Sequence, residues 1–77
     1  MKVAPTEITQ LMKECGINFD EDELGFDSIL RESGLDSLDM ANLLLALEEK
    51  YNIQIPDQTV ASLVSINAIS NYLSEVV

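Results

Sequence analysis

The apolar residues between Thr6 and Cys15 fall at Ile8, Leu11, Met12 and Cys15, the i, i+3, i+4, i+7 spacing of one helix face. This predicts an amphipathic helix over Thr6 to Cys15. Glu7 suits its positive N-terminal end, and Gly16 fits its stop. Cys15 continues the buried stripe and is expected to be structural. From Ile17 to Leu35 the period is lost. Unstructured loops of this length are uncommon in compact domains. Ile17, Phe19, Leu24, Phe26, Ile29 and Leu30 are therefore expected to pin this loop across the core, with a short helical turn near Ser28 to Glu32.

The strongest helical pattern runs from Ser37 to Tyr51. Met40, Leu44, Leu47 and Tyr51 make one stripe; Leu38, Ala41, Leu43 and Leu45 widen it. The polar stripe is narrow: Asp39, Asn42, Glu49 and Lys50. A helix this apolar is expected to sit centrally and touch several neighbours. Asn52 can end it. Ile53-Gln54-Ile55 reads as an extended link. Pro56-Asp57 then opens a short helix to about Leu63, with Asp57 as its N-cap. Ser65 caps a last helix, Ile66 to Val76, whose core face is Ile66, Ile69, Leu73 and Val76. The predicted fold is all-α: a small four-helix bundle of three longer helices and one short one, with a long loop after the first helix. Residues 1–77 are expected to form a single domain.

Composition agrees with folding: 47% of residues are hydrophobic and only two are proline. At this length only about 60% of the unfolded chain's surface is buried, so one small core is possible and a large enclosed cavity is not. Charge changes the picture more. Fourteen acids face four bases, a net charge of −10. Such a field repels nucleic acid and anionic membrane, and speeds encounter with basic protein surfaces. The longest apolar run is Leu43 to Leu47, far short of the roughly 20 residues of a membrane span. The start, Met1-Lys2-Val3-Ala4, leads into a polar stretch and not a signal core. A cytoplasmic location is expected, and the lone cysteine fits a reducing compartment.

Candidate chemistry is sparse. No histidine is present, so the usual Ser/His and Cys/His nucleophile pairs cannot be built on Ser37 or Cys15. One cysteine does not make a zinc site. The acidic loop matches the EF-hand pattern at Asp20, Asp22 and Gly25. It fails at Leu24, in the fifth position, and at Arg31, where a bidentate glutamate belongs; Glu32 is one place late. No specific metal site is expected, and the chain is not expected to be an enzyme. Gly34-Leu35-Asp36-Ser37-Leu38-Asp39 reads as a helix start: glycine ends the loop, Asp36 caps, and Asp39 stands at the third helical position. This places the Ser37 hydroxyl on an exposed first turn, where the helix dipole favours a phosphate ester by about 0.3–1 kcal/mol.

The same six residues resemble the modification motif of acyl carrier proteins. Leu47-Glu48-Glu49-Lys50-Tyr51-Asn52-Ile53-Gln54-Ile55-Pro56-Asp57 resembles the family's "LEEEF…IPD" segment, at the matching distance. The order of helices agrees over essentially the whole chain. The resemblance implies that a phosphopantetheinyl transferase moves phosphopantetheine from coenzyme A onto Ser37. It implies that the arm's thiol carries an acyl group as a thioester, and that the acyl chain enters the bundle beside the central helix. It also implies a partner-binding face at Asp36, Leu38, Asp39, Glu48 and Glu49 for acyl-transferring and condensing enzymes with basic docking surfaces, the carrier acting as a monomer. The chain departs from the family at Ser33, where leucine is usual, at Asn42, where the fatty-acid type has glutamate, and at Gln58 and Thr59, where acids are usual. A specialised lipid or polyketide pathway therefore stands beside fatty-acid synthesis. An unmodified acidic interaction module of the same fold is the alternative.

Overall fold

A computed structural model of the chain describes residues 2–20 and 22–77. Four α-helices follow one another: α1 (Pro5–Glu14), α2 (Ser37–Tyr51), α3 (Asp57–Val60) and α4 (Ile66–Val76). A 3-10 turn spans Leu30–Glu32. Glu21 of the acidic run lies outside the described residues.

α1 begins one residue earlier than its apolar period suggests. Proline suits the first helical position, where its missing N–H costs nothing. Ala4 N–H donates to Glu7 Oε2 at 2.7 Å. At the other end Gly16, at φ 76°, turns the chain: Gly16 N–H reaches Lys13 O and Ile17 N–H reaches Met12 O. That is the bond pair of a Schellman stop, and a side chain at Gly16 would strain it. Ile8 and Met12 are fully buried and Cys15 packs half-buried at the edge of the core.

α1 packs against both α4 and α2, more extensively against α4. α2 meets the core by one side only. The reason lies in the phase of α2. At about 100° per residue, Leu43 and Leu47 point one way and are fully buried, while Leu38 and Leu45 point almost opposite. Leu38 is 67% exposed and Leu45 55%. Leu38, Ala41 and Leu45 therefore do not widen the core stripe; all three face solvent. Asn52, at φ 55°, ends α2 in the left-handed region that asparagine tolerates.

α3 departs from expectation at both ends. Pro56 is its cap and Asp57 its first helical residue. Beyond Val60 the bonds tighten: Ser62 N–H and Ser62 Oγ both donate to Thr59 O, and Leu63 N–H donates to Val60 O. This i to i−3 pattern stops the α-helix short of Leu63. α4 keeps its predicted span, with Ser65 Oγ accepting from Ala68 N–H at 3.1 Å. Val76 is exposed, contrary to its predicted core role. It lies about 80° from Ile66 around the helix axis, whereas Ser70 and Val77 lie about 40° and 20° from it. Ser70 is buried on the other side of Ile66, and Val77 packs partly against the core.

The loop is pinned by Ile17, Leu24, Leu30 and Leu35, all buried, with Phe19 half-buried. Phe26 and Ile29 were expected to join them and are exposed instead. Ile29 has extended backbone, so its side chain points opposite to buried Leu30. Phe26 stands at the corner of a turn closed by Ser28 N–H to Gly25 O. The N-terminal segment is clamped to α4: Val3 N–H donates to Ser74 Oγ at 2.8 Å, and Ser70 Oγ donates to Val3 O.

The Tyr51 hydroxyl is shielded from solvent and has no hydrogen-bond partner among the described residues. Burial, aided by the Glu7 carboxylate, raises its ionisation above the ordinary 10.0. The unfolded chain therefore loses this proton first. The linked stability is fully present below about pH 10 and is lost as pH rises through the folded-state value. Tyr51→Phe is expected to keep or slightly raise stability at neutral pH, since an unpartnered hydroxyl is removed. It should also melt with a smaller alkaline decline than the parent, read by thermal melts from about pH 8 to pH 11.

Candidate functional site

Leu35 anchors the approach to α2. Its side chain is buried and its N–H reaches Leu30 O at 3.3 Å, while Gly34 takes φ 105° to make the turn. Asp36 then caps the helix. Its Oδ1 accepts from Asp39 N–H at 2.8 Å, and Asp39 Oδ2 accepts from Asp36 N–H at 3.4 Å. The second bond is long, so the first carries the cap. Met40 N–H takes the Asp36 carbonyl at 3.1 Å. Asp36→Ala is expected to cost about 1 kcal/mol, and so to lower the melting temperature by about 4–8 °C. Differential scanning calorimetry checks it.

Ser37 is the first helical residue and is exposed. Its hydroxyl makes no hydrogen bond among the described residues. It is a primary alcohol on a rigid turn whose two neighbouring carboxylates, Asp36 and Asp39, are engaged in the helix cap, so activating it calls for a base from a second protein. An ester phosphate attached here has open solvent around it and the N-terminal N–H groups of α2 below it, and it lies beside two carboxylates, Asp36 and Asp39. Dipole and carboxylates oppose each other, each within about 1 kcal/mol.

The five acidic and apolar positions expected around Ser37 do not play equal parts. Asp36 and Glu49 are exposed, and Asp39 is half-buried in the cap. Leu38 projects outward from the first turn. Glu48 is half-buried and its Oε2 accepts from Ile55 N–H at 2.7 Å, so this carboxylate holds the Ile53–Ile55 link to α2. Leu45, which the sequence reading placed in the core stripe, also stands exposed on this outer face, two helical turns from Leu38; its i+7 spacing from Leu38 was the available signal. Asn42 and Gln58 are exposed and Thr59 is half-buried. Ser33, at the other departure, donates its hydroxyl to Ile29 O at 2.9 Å and so closes the 3-10 turn.

Two surface depressions are lined by loop residues, one by Asn18, Phe19, Asp20 and Asp22, the other by Asp20, Glu23, Leu24 and Ser33. Asp20 Oδ1 accepts from Asp22 N–H at 2.9 Å, an Asx turn that occupies one of the acids. Among the described residues no group of three metal-ligating side chains is assembled, and no helix is long and apolar enough to cross a membrane. On the inner face of α2, Leu43 and Leu47 are fully buried, so an acyl chain entering there has to part them from the core.

The family model for the phosphopantetheine attachment site matches residues 8–73. The acyl carrier protein of Campylobacter lari is 41% identical over 58 residues, covering 74% of this chain and 75% of that protein. That of Campylobacter jejuni (strain RM1221) is 40% identical over the same length and shares. That of Campylobacter concisus is 45% identical over 47 residues, 61% of each chain. A match from α1 through α4, with relatives at this identity, leaves one placement: the chain belongs to the phosphopantetheine-attachment family, among the acyl carrier proteins.

Proposed function

We propose that Ser37 is the attachment point of the phosphopantetheine arm and that residues 1–77 act as one acyl carrier domain. The observation that carries this is the exposed, uncommitted Ser37 hydroxyl at the start of a capped helix, inside a segment matched by the attachment-site family. The Oγ atom attacks the β-phosphorus of coenzyme A. Its proton passes to a base of the transferase. The bond between that phosphorus and the bridging oxygen breaks, and adenosine 3′,5′-bisphosphate leaves. The attached arm supplies the thiol that holds an acyl group as a thioester. The chain itself is a carrier and not a catalyst, in keeping with its family.

The outer face of α2 is the docking surface in this reading. Leu38 and Leu45 supply apolar contact, and Asp36, Asp39 and Glu49 supply charge for basic acyl-transferring and condensing enzymes. Glu48 contributes through its position and through the oxygen not held by Ile55. Asn42 and Gln58 leave this face less acidic than the net charge suggests, which favours a specialised lipid or polyketide pathway over a general fatty-acid one. Monomeric action in the cytoplasm accords with the high net charge. The test is intact mass after apo protein is incubated with coenzyme A and a broad-specificity transferase. A gain of one arm on Ser37 is expected; no gain makes the chain an unmodified interaction module.

A further inference from the structure

We infer that Phe26, Ile29 and Val64 form a second docking patch, apolar and separate from α2, for the transferase that installs the arm. This rests on Ser37 being the attachment point. Six large hydrophobic residues are exposed among those described. Leu38 and Leu45 belong to the α2 face, and Val76 stands in the last turn of α4. The other three lie on two segments that hydrogen bonds hold in register. Leu30 N–H donates to Val64 O at 2.9 Å and Asn67 N–H donates to Phe26 O at 2.9 Å. Asn67 Nδ2 donates to Asp27 Oδ1 at 2.6 Å. The patch is thus fixed before any partner arrives, which lowers the ordering cost of docking.

Its distance from Ser37 is bounded by the chain. Leu35 N–H reaches Leu30 O at 3.3 Å, and with standard backbone lengths this keeps the Ile29 and Ser37 Cα atoms within about 19 Å. A typical protein interface covers about 800 Å² on each partner, some 30 Å across, so a footprint lying between Ser37 and the patch takes in both. Charge selects the occupant. A second copy brings another net charge of −10, so self-association is opposed. Asp27 lies in the patch, and Arg31 is the only base from residue 14 to residue 49, among many acids. A basic enzyme with an apolar recess is the complement. The transferase fits best among such enzymes. The Ser37 hydroxyl is one carbon from the backbone, so its active site has to sit on the surrounding surface, whereas later enzymes work at the tip of a long arm.

The experiment measures transferase kinetics by intact mass, with coenzyme A and a broad-specificity transferase. The triple variant Phe26→Gln, Ile29→Gln, Val64→Gln is expected to raise KM for the carrier about tenfold, with kcat within about twofold and the loss retained in high salt. Val76→Gln, an exposed apolar control, should change KM by less than about twofold. If the triple variant melts early, the three single variants, each checked for an unchanged melt, should still raise KM about twofold. An unchanged KM, a loss confined to kcat, or an equal loss in Val76→Gln overturns the patch. A wild-type dimer in sedimentation equilibrium that the triple variant abolishes overturns the choice of partner. A wild type that takes no arm overturns the Ser37 assignment and the patch with it, whereas a normal wild type beside unaffected variants overturns the patch alone.

Discussion

Ser37→Ala is expected to stay at the mass of the bare chain after incubation with coenzyme A and transferase, while the parent gains one arm. The loss should be complete, because in the proposed transfer the hydroxyl is the attacking group and nothing nearby replaces it. Ser33 is the closest other serine in sequence, and its hydroxyl is engaged with the Ile29 carbonyl. The fold should survive. The Ser37 side chain makes no contact that the cap needs, since Asp36 and Asp39 carry the cap, and alanine favours a helix more than serine by a few tenths of a kcal/mol. A melting temperature equal to or slightly above that of the parent is the second readout. An equal mass gain in the variant would place the arm elsewhere.

Leu47→Ala and Leu45→Ala, two residues apart on α2, are expected to behave in opposite ways. Leu47 is fully buried, and truncating it removes packing and leaves a cavity, at a cost of about 2–5 kcal/mol. A domain of this size holds only about 4–12 kcal/mol in total, so the melt should fall by 10 °C or more, at about 4–8 °C per kcal/mol. Leu45 is 55% exposed, and its truncation should stay within about 0.5 kcal/mol. Urea unfolding of the two variants checks the phase of the helix directly. Equal costs would mean that the outer face has been assigned wrongly. Acyl transfer from the Leu45 variant gives the functional half of the comparison, because stability should hold while docking weakens.

The ends of α2 and α4 were legible in the sequence because each is marked by its own chemistry: Asp36 and Ser65 at the caps, Asn52 at a left-handed stop. The phase of α2 was not. Apolar residues cover nearly its whole circumference, so spacing alone could not decide that Leu38 and Leu45 face outward. That surplus of apolar residues left Leu38 and Leu45 on the exposed side of the helix. Asp57 was misread as a cap because Pro56 and Asp57 both suit a helix start, and their order was settled by backbone geometry. The bond from Ile55 to Glu48 could not be foreseen, since it depends on how the link folds back over α2. Val76 was placed in the core by spacing, yet the buried side of α4 is rotated toward Ser70, whose hydroxyl finds its acceptor in a segment 67 residues away. For the site, Ser37 and its capping pair stood out from local spacing together with the family resemblance. The exposed loop residues Phe26 and Ile29 did not, because an apolar residue in a loop reads as an anchor unless the turns around it are known.

The clamp on Val3 sets the order in which the molecule can be completed during synthesis. Its partners, Ser70 and Ser74, lie 67 and 71 residues further along the chain. α1 emerges early yet has its most extensive packing with α4. Until α4 leaves the ribosome, the apolar face of α1 has only loop and α2 contacts to shelter it. Closing a loop of 67 to 71 residues is a non-local step, which raises the contact order of an otherwise local helical topology. Completion of the fold should therefore wait for α4, and be slower than helix content alone suggests. A nascent chain stalled before Ser70 should remain open to protease and chaperone, with Ser37 already made but not yet mounted on a finished scaffold.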